Sequence, residues 1–314
     1  MKKYFITSDI HSFWNEFKKA LLDNGFDVDN PEHILIVCGD LFDRGPDTLQ
    51  VYQFIKNLPK ERRILIRGNH EYLLRDLVKR KKVCYHDISN GTAQTLLALN
   101  GYNYTSNEIQ YNLIYATYDE LFEGTEPMNT ILEKCYKSKK TKDILKWIFS
   151  NEWCNYYELD NYIFTHAFIP VNMGKNSDMY NPIYAELSYN PDWRNCSDKD
   201  FEEATWGCPY RLFDSKLFNE EANNNKILVV GHWHASDFHL HYETTEHYTK
   251  EYEKIENCTP YIGKNLIAID ACTAYSYFCN IIILEETEQN GLKLINNNYF
   301  NKENRIPLII KEKK

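Results

Sequence analysis

Four things are missing from this sequence, and each absence removes a class of protein. None of the nine cysteines is spaced as Cys-x-x-Cys, and their number is odd. This argues against a disulfide framework and a structural zinc knot, and reduced thiols of a cytosolic protein are expected. No apolar run approaches the ~20 residues of a membrane span, and none of signal-peptide length follows Lys2 and Lys3, so a soluble cytoplasmic protein is expected. Positive charge is not in excess: 36 Lys and Arg face 45 Asp and Glu, a net charge of −9. This argues against stable nucleic-acid binding over a broad face. No internal repeat and no domain-separating linker is visible, so the 314 residues read as a single domain.

What is present begins with a rhythm. Over the first 80 residues, short apolar strands ("KYFITSDI", "HILIVCGD", "RRILIRGNH") alternate with helical segments at 13–22, after Pro46, and at "EYLLRDLVKRKK". Strands apolar on both faces, alternating with helices, predict a sheet covered by helices. Residues 89–150 are expected to be a mostly helical insertion. A hairpin at 156–165 leads to a long irregular segment, about 168–225, of the kind that rims a site. Strands return at "KILVVGHWH", "LIAIDA" and "NIIILEE".

In sheets of this kind ligands bind where strands end at their carboxyl side. Here the strand ends carry one recurring chemistry: Asp9 and His11; Asp40, Asp43 and Arg44; Asn69 and His70; His166; His232 and His234. Asp, His and Asn are ligand types for borderline divalent metals. So many of them suit two ions sharing a bridging carboxylate, a pair able to clamp the attacking and leaving oxygens of a phosphate ester. Asp40 is placed to bridge, Arg44 offers a forked donor to phosphate oxygens, and Gly39 and Gly45 permit a tight turn close to the ions.

The set "SDIH…GDLFDRG…GNHE…H…GHWH" resembles the calcineurin-like metallophosphoesterase superfamily, closest to bacterial serine/threonine phosphoprotein phosphatases and the related symmetrical dinucleoside tetraphosphate hydrolases. It spans residues 9 to 234, about three quarters of the chain. The resemblance implies a four-layer sandwich of two mixed β-sheets flanked by helices. It implies two divalent ions, manganese foremost, with iron, zinc or nickel as alternatives. Asp9, His11 and Asp40 would hold the first, joined by His234 as in the wider superfamily; Asp40, Asn69, His166 and His232 would hold the second. A hydroxide between the ions would attack phosphorus in line. His70 would protonate the leaving oxygen, oriented by Asp43, and Arg44 and Asn69 would bind the substrate. A carboxylate beside an imidazole favours the charged form that a proton donor needs.

The implied reaction is phosphomonoester hydrolysis, with phosphorylated proteins as one substrate class. The alternative is a dinucleoside polyphosphate or phosphodiester hydrolase, and a third possibility is a binding module without catalysis. Several departures from the phosphoprotein phosphatases bear on that choice. Ser8 and Ser12 replace glycines, and Ala167 and Phe168 follow His166 where that family has two more. The second phosphate-gripping arginine is missing after Trp206, with Arg211 or Arg194 as substitutes. The remaining features have plainer expectations. The basic runs at 79–82 and 137–142 are solvated helix ends. His239, His241 and His247 belong to an exposed hairpin. Trp193, Trp206 and Tyr210 either line a cleft or pack in loops.

Overall fold

A computed structural model describes residues 1–115, 126–177, 179, 186–243, 257–288 and 291–295. Two larger mixed sheets form its centre. The first has six strands in the order Leu292–Ile295, Ile282–Glu286, Lys3–Thr7, His33–Cys38, Arg63–Ile66 and Trp153–Cys154. The last four run parallel, and the first two are antiparallel additions. The second has five: Tyr261–Ile262, Leu266–Asp270, Ile227–His234, Tyr162–Phe164 and Tyr157–Leu159, with its three central strands parallel.

The apolar runs follow from where the sheets lie. Strand residues alternate between faces, and in the first sheet both faces are covered. Tyr4, Ile6, Ile34, Ile36, Cys38 and Ile66 pack against Phe164, Val229, Ile267 and Ile269 of the second sheet. Phe5, Leu35, Val37 and Leu65 face the other way, onto the helices that include Trp14–Asp23, Thr48–Asn57 and Thr92–Leu99. The outer face of the second sheet, with Ile163, Leu228, Val230, Leu266 and Ala268, is covered by Phe168, Trp193, Phe201, Leu212 and Phe238. The result is the expected four-layer α/β sandwich of two mixed sheets between helices.

Among the described residues of 85–148 there are five helices: Tyr85–Ser89, Thr92–Leu99, Ser106–Tyr115, Met128–Lys137 and Lys139–Ile148. The described residues of 168–225 are more ordered than the segment's composition suggests. Asn172–Met173 pairs with Leu187–Ser188, and helices form at Asp198–Ala204 and Pro209–Asp214. Each helix starts on a strong local signal: a capping box at Ser197 and Asp200, and Pro209 in the first turn. At seven and six residues they are too short for helical periodicity to reveal them. The expected hairpin carrying His239 and His241 is instead the helix Ala235–Glu243. There His239 bonds Glu243 one turn away, a spacing that alternating charge disguises as strand. His247 lies outside the described residues.

Candidate metal centre

Parallel pairing brings the strand ends to one edge. Thr7 is level with Val37, and Cys38 with Ile66, so the turns after these strands lie side by side. They are tied by main-chain bonds: Asp9 N–H donates to Gly39 O, His11 N–H to Asp40 O, Ser12 N–H to Leu41 O and Gly45 N–H to His11 O, all at 2.8–3.1 Å. Glu71, fully buried, accepts from the N–H groups of Asp40, Leu41 and Gly68 at 3.1, 3.0 and 2.7 Å. One carboxylate therefore locks the second strand's turn to the third's.

The backbone pays locally for this arrangement. Asp9, His11, Ser12, Asp40, Asp43, Arg44 and His232 all take left-handed conformations, with φ between 48° and 76°. Such conformations persist where the surroundings over-determine them, and they gather at functional sites. Gly39 (φ 85°) meets a second constraint: a β-carbon there would collide with the His166 ring.

Within this frame two groups of donors converge. His11, Asp40 and His70 form one, and Asp40, His166 and His232 the other; the potential ligand atoms in each lie within 4.8 Å of one another. Asp40 belongs to both. Its Oδ2 is 3.8 Å from His11 Nε2 and from His70 Nε2, and its Oδ1 is 3.4 Å from His166 Nε2. Asp9 stands beside the first group, with Oδ1 4.0 Å from His11 Nε2 and Oδ2 accepting the His232 N–H at 2.9 Å.

The ring nitrogens indicate what the centre can take. His11 Nδ1 lies 2.9 Å from Phe42 O, and His166 Nδ1 lies 2.8 Å from Cys38 O. A proton on each Nδ1 satisfies those carbonyls and leaves each Nε2 with a lone pair aimed inward, the state a metal ligand requires. His166 Nε2 is also 2.8 Å from Asn69 Oδ1 as that amide is oriented. Turning the amide over would let its N–H₂ donate to that lone pair, so the contact is satisfied with or without an ion.

Charge gives the same answer. Burial pushes Asp40 well above the usual carboxylate range, helped by Asp9, although His70 opposes it. Burial and Asp9 push Asp270 up likewise. His11 is driven well down by burial and then by Arg44, and His232 by burial and then by His166. Crowded buried carboxylates among neutral imidazoles form a donor set that fits divalent cations and is relieved by them.

His70 occupies a distinct position. Its Nδ1 is 2.7 Å from Asp43 Oδ2, so its Nε2 edge faces the centre. Arg44 is half-buried, and its charge is felt by His11, His232 and Asp270. His234 lies two residues past His232, opposite Asp270 in the sheet register, and joins neither group of converging donors. Arg194 is committed to Glu158 and covers the Trp193 ring at 4.4 Å. Arg211 is exposed, because its helix buries Pro209, Tyr210 and Leu212 and turns it outward over the Tyr210 ring. Trp193 and Tyr210 are core residues, whereas Trp206 sets its ring edge-on to His232 at 6.1 Å.

The strand-end pattern missed four contributors. Asp270 carries the same signature as the others, a carboxylate closing the apolar run "LIAID", and that signal could have found it. Glu71 was visible only as a first-turn acid. Thr92 and Thr95, which touch Asp43, carry no signal at all.

The profile for the family described as Calcineurin-like phosphoesterase matches residues 2–257. A symmetrical bis(5'-nucleosyl)-tetraphosphatase of Buchnera aphidicola (from Schizaphis graminum) is 29% identical over 171 residues, covering 51% of this chain and 61% of that protein. The enzyme of the same name from Colwellia psychrerythraea is 34% identical over 67 residues, 21% of this chain and 22% of its own. The chain thus spans about three fifths of the first relative and about a fifth of the second. Among solved structures, a Saccharomyces cerevisiae serine/threonine phosphatase matches at 12% identity and a TM-score of 0.45, covering 94% of this chain and 80% of its own. The cold-active protein-tyrosine phosphatase of a psychrophilic Shewanella matches at 14% and 0.44, covering 94% and 81%.

Proposed function

The chain belongs to the calcineurin-like phosphoesterases, and from that membership we propose that it is a cytoplasmic, metal-dependent phosphoester hydrolase acting at the edge just described. One observation carries the proposal: two groups of converging donors share Asp40, and in one of them His70 is bonded through its other ring nitrogen to a buried carboxylate. Asp9, His11 and Asp40 would hold one divalent ion, with His234 as the further ligand the family resemblance implies, although it joins neither converging group here. Asp40, Asn69, His166 and His232 would hold the other, and manganese is the first metal to try. Two such ions supply positive charge to a phosphoryl group and lower the pKa of a bound water.

The rest falls to the protein's own groups. Arg44 offers its guanidinium fork to two phosphoryl oxygens, and Asn69 lies within the same cluster. His70, with a proton on each ring nitrogen, donates the one on Nε2 to the departing oxygen, and the Asp43 carboxylate keeps the Nδ1–H and so holds the ring in place. The helices of 89–150 and the segment 168–225 rim the edge, the first through Thr92 and the second through Trp206.

The leading substrate class is phosphomonoesters, phosphoserine and phosphothreonine proteins included. A second reading, hydrolysis of dinucleoside polyphosphates, is favoured by the activity named for the curated relatives. It is also favoured by Arg44 being the one arginine at the centre among the described residues, with Arg194 and Arg211 turned elsewhere.

The decisive assay loads the protein with Mn²⁺ and supplies a monoester and a diester of one chromogenic phenol, then a dinucleoside tetraphosphate. Monoester preference supports the first reading, and anhydride preference the second. The His70→Asn variant should retain its metal and lose about 10²-fold or more in turnover. Undiminished turnover would remove His70 from the chemistry.

A further inference from the structure

Asp43 is fully buried, yet only one of its carboxylate oxygens is engaged. Oδ2 receives the His70 ring nitrogen at 2.7 Å and the Thr92 hydroxyl at 2.7 Å, whereas Oδ1 has no partner among the described residues. The side chain is thus fixed through a single atom that two donors share. Removing either donor frees the carboxylate to rotate and changes how tightly it binds the other.

Thr92 opens the helix Thr92–Leu99, and its hydroxyl does not cap its own helix. A threonine at a helix start ordinarily bonds nearby backbone N–H groups. This one reaches 49 residues back along the chain. The same helix grips the turn at two more points. Thr95 Oγ1 accepts the Asp43 N–H at 3.0 Å, and Gln94 Nε2 donates to Gly45 O at 3.2 Å. Gly91, at φ 82°, lets the helix approach so closely that a β-carbon would strike the Arg44 amide. Asp43 and Arg44 are both left-handed, and this helix is what braces them.

We propose that Thr92 is a positioning residue for the proton donor, acting from the helical segment through Asp43 on His70. This rests on the reading of His70 as the general acid given above. With the hydroxyl in place, Asp43 keeps the His70 Nε2–H aimed at the departing oxygen, and that proton moves to the leaving group as its bond to phosphorus breaks. Without it the ring is held less well, and the cost falls on leaving groups that need the proton. A nitrophenolate departs with little help, whereas an alkoxide needs protonation.

The test is a ratio. Wild type, Thr92→Val and Thr92→Ser are each assayed, with metal content measured, on a nitrophenyl ester and an alkyl ester of whichever class, mono- or diester, the wild type hydrolyses. Because both rates come from one preparation, any misfolded fraction cancels. Thr92→Val should lose about tenfold more kcat/KM on the alkyl ester than on the nitrophenyl ester, a fraction of the usual general-acid effect. Thr92→Ser, which keeps the hydroxyl, should restore the ratio to near wild type. Equal losses on both esters in Thr92→Val would overturn the proposal and leave Thr92 a packing residue. His70→Asn run alongside separates the two claims. If it too shows no leaving-group dependence, the general-acid reading itself fails; if it alone shows the dependence, only the role of Thr92 does.

Discussion

The two sheets furnish the site in different ways. From the first come Asp9, His11, Asp40, Asp43, Arg44, Asn69 and His70, on turns that bond one another directly and share Glu71 as a common acceptor. The second supplies His166 and His232, each held by reaching across: His166 to Cys38 O, and His232 through its N–H to Asp9 Oδ2. One half supports itself, and the other is positioned by it. Damage to the first half should therefore spread, and damage to the second should stay local.

The sharpest way to break this asymmetry is to compare Asp40→Asn with His232→Asn. The first should abolish binding of both ions and cost about 10³-fold or more in turnover. The second should spare one ion and cost about 10²-fold, somewhat beyond the usual effect of a lost supporting group. Metal content by elemental analysis distinguishes the two, and equal metal loss in both would erase the distinction.

Glu71 tests the self-support itself. Glu71→Gln places an amide among three N–H donors, and leaving such groups unsatisfied in the interior should cost about 3 kcal/mol. A urea midpoint that did not move would mean the turns hold without it.

The smallest expected effect lies at the sheets' outer edges, where each carries one carboxylate among cations. Beside the first sheet, burial would raise the Glu152 pKa, but hydrogen bonds from Lys60, Arg63 and Trp147 outweigh it and hold the pKa at about 2. Beside the second, burial likewise opposes and Arg194 and Lys226 prevail, so Glu158 is also lowered. A depressed carboxylate stabilises the fold fully above its ordinary pKa of 4.5. That stabilisation is lost as pH falls toward 2. After screening by solvent, the stability difference between wild type and Glu152→Gln should be about 1 kcal/mol near neutrality and shrink between pH 5 and 2. The same experiment on Glu158 should give the smaller change.

How far the sequence disclosed this follows from how each residue announces itself. Asp9, Asp40, Asn69 and His232 were legible because each interrupts an apolar strand with a polar group that a core would reject. The sandwich was implied by the motifs they form, and its strands by their two-faced apolarity. Thr92 and Thr95 were illegible because a threonine in a helix looks alike whether its hydroxyl meets solvent or a carboxylate half a hundred residues away. The helix at 235–243 was misread because charges at i and i+4 also alternate along the chain. The helices at 198–204 and 209–214 were missed because they are shorter than two turns.

The left-handed residues have one last consequence. Seven non-glycine positions of the centre sit in a region that costs roughly 1 kcal/mol or more apiece. A peptide cut from any one motif would relax to ordinary strand or turn angles. For six of the seven positions the neighbouring strands and Glu71 impose the left-handed conformation, and for His232 the bond to Asp9 does. The first sheet's turns can thus set once their own strands pair, and the edge is complete only where the second sheet meets them.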